Sequence, residues 1–286
     1  MKNANVQTIT RSAIRPAVIM SISLAMFLFA ACESNSPSSQ QDISGPVSEA
    51  RTVNKSVVSL DAVSNLAVQT PVNLGLSDGF AILSYAGITN TGSTSITGNI
   101  GASPITGASL TGFETVSSAG TTYTVDAAGP VGYATDATML TQAMLDLTAA
   151  YNDAAGRTSA DIVLLAGNLG GQTLPPGLYK SNSTLEISSG DLTLDARGDA
   201  NAVWIFQIAS SFNMTSGRQV FLIGGAKASN IFWQVGSSAT FGTTAVMKGT
   251  ILAYASSTFA TGASLEGRAL ARTANVTLDA NSIVKP

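Results

Sequence analysis

The sequence predicts a mainly β protein, a solenoid of short stacked strands with one long α-helix alongside. Three observations predict it. Segments with an apolar centre and small polar neighbours return every sixteen to twenty-seven residues near the C-terminal end, and such regular return marks a solenoid. Glycine recurs between the β-like runs and supplies tight corners. One stretch alone, Asp136 to Ala155, changes from strand to helical period.

Residues 1–31 have the layout of an export signal. Lys2, Arg11 and Arg15 precede the apolar run Ala17 to Ala31, which is too short for an ordinary membrane span. The run ends in Phe29-Ala30-Ala31-Cys32. Small residues before a lone Cys resemble the lipobox of bacterial lipoproteins, although Phe29 stands where Leu is usual. Cys32 is the expected lipidation site, and an ordinary secretory signal is the alternative. The expected location is exported, at the outer membrane or cell surface as a lipoprotein, or secreted. Residues 32–71 are rich in Ser, Gln, Asn and Pro and read as a flexible tether. The folded domain is expected over 72–286, and membrane contact only through the lipid.

Within that domain, Gly79-Phe80-Ala81-Ile82-Leu83, Gly87 to Gly92 and Ser95 to Gly101 read as short strands closed by glycine. Leu140, Met144, Leu147, Tyr151 and Ala154 then recur at steps of four, three, four and three, the stripe of one amphipathic helix at about 136–155. Thr135 or Asp136 can cap its start and Gly156 can end it.

After the helix each coil offers three strands. The first kind is Thr184–Ser188, Ser211–Thr215, Ser238–Gly242, Ser257–Thr261 and Ala274–Leu278. Strand side chains alternate faces, so the central apolar residue points inward and its neighbours outward. The second kind, near Leu192, Val220, Met247 and Leu265, shows Gln, Lys and Glu outside. The third, including 202–208 and 230–235, is apolar throughout in its first coils, as expected of a strand covered on both sides. The helix is the expected cover. Only the first kind is small and uncharged outside, Glu186 excepted.

Composition narrows the function. Charged residues make up only 11% of the 286-residue chain and apolar ones 45%, so little of the surface can be ionic. The net charge of −3 becomes about −6 once Lys2, Arg11 and Arg15 are removed, leaving 11 basic residues against 17 acidic. No basic footprint for nucleic acid is present. There is no histidine, and Cys32 is the only cysteine. His-based triads, His or thiolate metal clusters and an intrachain disulfide are therefore excluded. No cofactor or metal is expected.

The ordered segments 76–83, 96–104, 149–157, Leu174-Pro175-Pro176-Gly177-Leu178-Tyr179, 192–196, 232–240, 248–253 and Val276-Thr277-Leu278-Asp279 resemble the bacterial and fungal ice-binding proteins that share one widespread domain. The match spans roughly 74–284. The resemblance implies a right-handed, discontinuous β-solenoid of triangular cross-section with one helix packed alongside. It implies that the coil before the helix stacks beside the last coils, so that Thr89 and Thr91 join the face of Thr258, Thr261 and Thr277. Thr91-Gly92-Ser93-Thr94 matches the family's Thr–small–any–Thr pattern, and Thr261-Gly262-Ala263-Ser264 matches except at its last residue. Some relatives carry a disulfide-closed cap before the helix, and segment 101–135 is short for one and lacks Cys. The candidate ice-contacting set is Thr89, Thr91, Thr94, Asn213, Thr215, Thr240, Thr243, Thr258, Ala260, Thr261, Asn275 and Thr277.

Physics supports such a face. Coils repeat about 4.7–4.9 Å apart, and alternate residues on a strand lie about 6.5–7 Å apart, near ice-like spacings. Threonine is stiff at χ1, so little motion remains to be frozen on contact. Its methyl is weakly hydrated and its hydroxyl can join a water lattice. The expected partner is an ice surface, the expected activities are thermal hysteresis and inhibition of recrystallisation, and the expected state is a monomer without enzymatic activity. Two alternatives stay open. A cell-surface adhesion or glycan-binding module would need exposed aromatics, whereas Trp204 and Trp233 fall in the doubly covered strand. An enzyme would need a carboxylate cluster, for which Asp191, Asp195, Asp199 and Arg197 are the best group and read more simply as a polar turn.

Overall fold

The structure, a computed structural model, describes residues 68–286. The expected signal, Cys32 and most of the tether lie outside the described residues. The described chain is a β-solenoid of parallel strands with three faces and one long helix, α1 (Ala137–Gly156).

The first face is a seven-stranded sheet in the order Leu185–Ile187, Phe212–Met214, Ala239–Phe241, Ser257–Phe259, Val276–Asp279, Ile88–Thr91 and Leu110–Thr111. The order is not that of the chain: the strands that precede α1 stack on the C-terminal end. The third face has the same break, with Phe80–Ser84 paired to Ser264–Ala271. The discontinuity is thus a feature of the fold. The expectation of one coil before α1 falls short, because Leu110–Thr111, Val116–Ala119 and Thr122–Thr124 pair beyond that coil and begin another.

In the last coils the expected second and third strands fuse. Val246–Ala253 and Ser264–Ala271 each run unbroken through the corner. Gly249 and Gly267 face each other there. Gly249 has φ +106°, and a Cβ on Gly267 would sit 1.9 Å from the Gly249 carbonyl oxygen. With no side chain at either position the strand can bend without a loop.

Inward residues fill the solenoid, and stacked rings run along it. Phe206 and Trp233 have centroids 3.9 Å apart, Phe212 and Trp233 4.8 Å, and Phe241 and Phe259 4.6 Å. Trp204 and Trp233 are wholly buried. On the other side of the third-face sheet, Leu178, Val203, Ile205, Phe232, Leu252 and Leu270 pack against α1. The helix buries Leu140, Ala143, Leu147, Ala150, Tyr151 and Ala154. Met144, expected in that stripe, is only half-buried, and alanines let the helix lie close instead.

The Asp136 carboxylate accepts the Met139 N–H at 2.9 Å and caps the start. The helix end is made differently from the expected glycine stop. Arg157 turns to extended backbone, and Gln207 of the third face donates to the carbonyls of Ala154 at 2.9 Å and Arg157 at 2.8 Å. Gln234 donates to the Tyr151 hydroxyl at 2.8 Å. These two buried glutamines explain why a doubly covered strand is not wholly apolar: each satisfies a group on the helix. Val72 and Leu74 are buried against α1, and Arg157 donates to the carbonyls of Thr70 and Pro71.

Candidate functional site

Period-two alternation along each first-face strand, with parallel register between strands, puts one outward residue per coil in a straight row. The central row is Glu186, Asn213, Thr240, Thr258, Thr277, Thr89 and Thr111. Five consecutive members are threonine. Beneath them lie Leu185, Phe212, Ala239, Val276 and Ile88, all buried, so the sheet has a solid floor.

Continuing the register by two residues gives a second row through Thr215, Gly242, Ala260, Asp279 and Thr91. Thr215 and Thr91 are exposed, Ala260 half-buried. Two residues the other way lies a row of Ser211, Ser238, Ser256 and Asn275. The Ser256 and Ser238 hydroxyls are 2.9 Å apart, and Asn275 donates to the Thr277 hydroxyl at 3.1 Å. Thr243 and Thr261 lie just past their strands, exposed and side by side at the corner. The structure therefore brings eleven of the twelve candidate residues to one face and its rim.

Thr94 is the exception. The chain turns the corner at Gly92 (φ +68°), and Thr94 opens the next strand pointing inward, 2% exposed. Its hydroxyl donates to Asn90 Oδ1 at 2.6 Å and accepts the Asn281 N–H at 3.0 Å. The Thr–small–any–Thr pattern thus sets a corner at this position, with a structural bond inside it.

Two outward residues escaped the sequence reading. Thr111 extends the central row, and Leu110-Thr111-Gly112 repeats the apolar–Thr alternation that signals it. Asp279 puts a carboxylate between Ala260 and Thr91, so Glu186 is not the only charge on the face. Alternation along Val276-Thr277-Leu278-Asp279 already points Asp279 outward. The Thr261 hydroxyl donates to that carboxylate, which ties it to the corner.

The best acidic cluster is taken up by turns. Asp195 accepts the Arg197 N–H and Asp199 the Asn201 N–H, each at 2.8 Å. Asp191 accepts the Gln219 N–H at 2.9 Å and lies 3.6 Å from Arg218. Asp195 and Asp199 thus bond their own turns, and Asp191 bonds the next coil.

Residues 82–284 match the family model described as ice-binding-like. The chain belongs to the ice-binding-like family. It is 42% identical over 268 residues to an ice-binding protein of Flavobacterium frigoris, covering 92% of this chain and 95% of that one. It is 44% identical over 217 residues to one from a Colwellia species, covering 75% and 84%. Among solved structures, an ice-binding protein from an Antarctic biological consortium matches with a TM-score of 0.71 and 51% identity over 77% of this chain and 93% of the other. A domain of a Shewanella frigidimarina ice-binding protein matches with a TM-score of 0.71 at 30% identity, covering 77% and 99%. Within this ice-binding-like domain the first face carries five threonines in one register row, with Glu186 and Asp279 as its charged outward residues.

Proposed function

We propose that this protein adsorbs to ice through the first face, and so depresses the freezing point of melt at the crystal front and inhibits recrystallisation. One observation carries the reading: five threonines in unbroken register on a buried, parallel floor. The rungs repeat about 4.8 Å apart along the solenoid, and flanking rows stand about 7 Å away. A stiff side chain with a methyl and a hydroxyl orders a water layer at low entropic cost. Asn213 lengthens the central row, Thr215, Ala260, Asn275 and Thr91 widen the plane, and Thr243 and Thr261 form its rim. Adsorbed molecules pin the ice front, and growth between them must curve, which lowers the local freezing point. No covalent step and no cofactor enters this mechanism. The ice-binding names of the relatives favour the same partner.

The test is recrystallisation inhibition and thermal hysteresis at micromolar concentration, for the native sequence and for Thr258→Tyr and Thr277→Tyr. A bulky ring in the central row lifts the plane off the crystal. Native activity with both variants unimpaired would remove the first face as the site. Export and acylation at Cys32 would place this face outside the membrane. Mass spectrometry of the membrane-bound protein checks the lipid on Cys32, and Cys32→Ser should release the chain.

A further inference from the structure

We propose that the groove between α1 and the solenoid corner at Arg272 binds an acidic sugar chain, with Arg272 holding a carboxylate and Tyr85 stacking on a sugar ring. The groove has a volume of about 370 Å³ and is lined in part by Tyr85, Met144, Leu145, Thr148, Arg272 and Thr273. That volume is within the common range for small-molecule sites, about 300–1,000 Å³. It lies at the junction of the third and first faces, apart from the threonine rows.

The corner is a column of its own. The Tyr85 N–H donates to the Ala271 carbonyl at 3.2 Å, and the Arg272 N–H to the Ala253 carbonyl at 2.9 Å. Tyr254, Arg272 and Tyr85 therefore occupy the same position on three adjacent coils, about 4.8 Å apart. Tyr254 is 44% exposed, Tyr85 45%, and Leu145 on the facing helix 58%. The exposed aromatics missing from the two tryptophans are present here as tyrosines.

Arg272 is held and still available. Its guanidinium lies 5.1 Å from the Tyr151 ring centre and 5.3 Å from that of Tyr254, and Nε donates to the Thr148 hydroxyl at 3.4 Å. Rings fix its plane by cation–π attraction. Among the described residues it makes no ion pair, whereas Arg268 on the same coil is paired with Asp78. A planar fork held in this way matches a carboxylate. Met144 and Leu145 give the groove an apolar side, while the Thr148 hydroxyl accepts from Arg272 and the Thr273 hydroxyl donates to the Tyr254 carbonyl at 2.6 Å, each keeping a free lone pair toward the groove's edge. A sugar ring has an apolar C–H face and a hydroxyl edge, which suits these walls.

The experiment is calorimetric titration of the full chain with hexamers of galacturonate, mannuronate and guluronate, with a neutral glucose hexamer and decanoate as comparisons. At least one acidic hexamer should bind, and the neutral hexamer and decanoate should bind far more weakly. Arg272→Gln should weaken binding by about tenfold or more, the size of one lost charge-assisted contact, and Tyr85→Ala by about tenfold through lost ring stacking. Leu145→Glu should abolish it by charge repulsion. Tyr85→Ala and Leu145→Glu touch exposed positions, so their melting temperature and recrystallisation inhibition should be unchanged even if Arg272→Gln loosens the helix. Absence of binding by every acidic hexamer overturns the proposal. So does equal affinity for the neutral hexamer or decanoate, native affinity in Arg272→Gln, or native affinity in both Tyr85→Ala and Leu145→Glu.

Discussion

Thr277 lies directly beside Thr89 on the first face, although α1 and most of the solenoid separate them along the chain. The last coil before the C-terminus is covered by the first coil of the domain. Covering it removes an open sheet edge that would otherwise pair with other chains, and it carries the threonine row across the break. Arg268 fastens the same junction: its guanidinium lies 2.6 Å from the Asp78 carboxylate and donates to the Asp78 carbonyl at 3.0 Å.

If the row acts as one plane, Thr89→Tyr and Thr277→Tyr should lower recrystallisation inhibition severalfold and by similar amounts. The double variant should be little worse than either, because one raised ring already lifts the plane. Additive losses in a splat assay would mean that the two rungs act separately.

Thr94 should matter for folding and not for ice. Thr94→Val removes a buried donor and acceptor from Asn90 and Asn281, at a cost of about 1–3 kcal/mol. Thermal unfolding should show the loss, while ice activity of the folded variant at low temperature stays native. Lost activity with unchanged stability would return Thr94 to the binding surface.

The junction pair should be asymmetric. Arg268 is 4% exposed, and burial pulls its pKa below the ordinary arginine value while Asp78 opposes that shift. Asp78→Ala strands a buried cation and should cost about 1–3 kcal/mol. Arg268→Met replaces that cation with an apolar chain and leaves Asp78, whose side chain is 57% exposed, to water. Denaturant titration should find Arg268→Met the milder change.

Ser257 sits in the floor of the first face with a hydroxyl that has no hydrogen-bond partner. Ser257→Ala removes a desolvated polar atom and should raise stability by about 1 kcal/mol. A lower melting temperature would show that the hydroxyl is satisfied after all.

Acid should loosen the segment around Asp126 first. Bonds from the Thr106 side chain, then from the Gly107 N–H at 3.0 Å, hold its carboxyl below the ordinary 3.8. A value depressed by folding stabilises fully above the unfolded value and is lost as the pH falls through the lowered one. Amide exchange at Gly107 and Ala128 should therefore speed up below about pH 4, and Asp126→Asn should abolish that step. An unchanged step in the variant would assign it to another group.

Much of this was legible in local pattern. Alternation in Thr240-Phe241 and Thr277-Leu278 tells which side chains face out, because the strand period is independent of context. The helix was legible from its stripe, and its start from Asp136. Its end was not, because the cap comes from Gln207, far away in the chain. Thr94 was misread because the Thr–small–any–Thr pattern was taken as one exposed run, although Gly92 inside it marks a corner. The fused strands through Gly249 and Gly267 were missed because a glycine pair reads equally well as a loop.

Local pattern sufficed for the solenoid, the long helix over 137–156, the family and most of the outward threonines, since these depend on period, composition and ordered motifs. The tertiary structure decided which rungs are neighbours, where the charge of Asp279 falls, and that Arg272 lies between tyrosine rings. Those relationships depend on the stacking order of coils, and stacking joins residues that no local period relates.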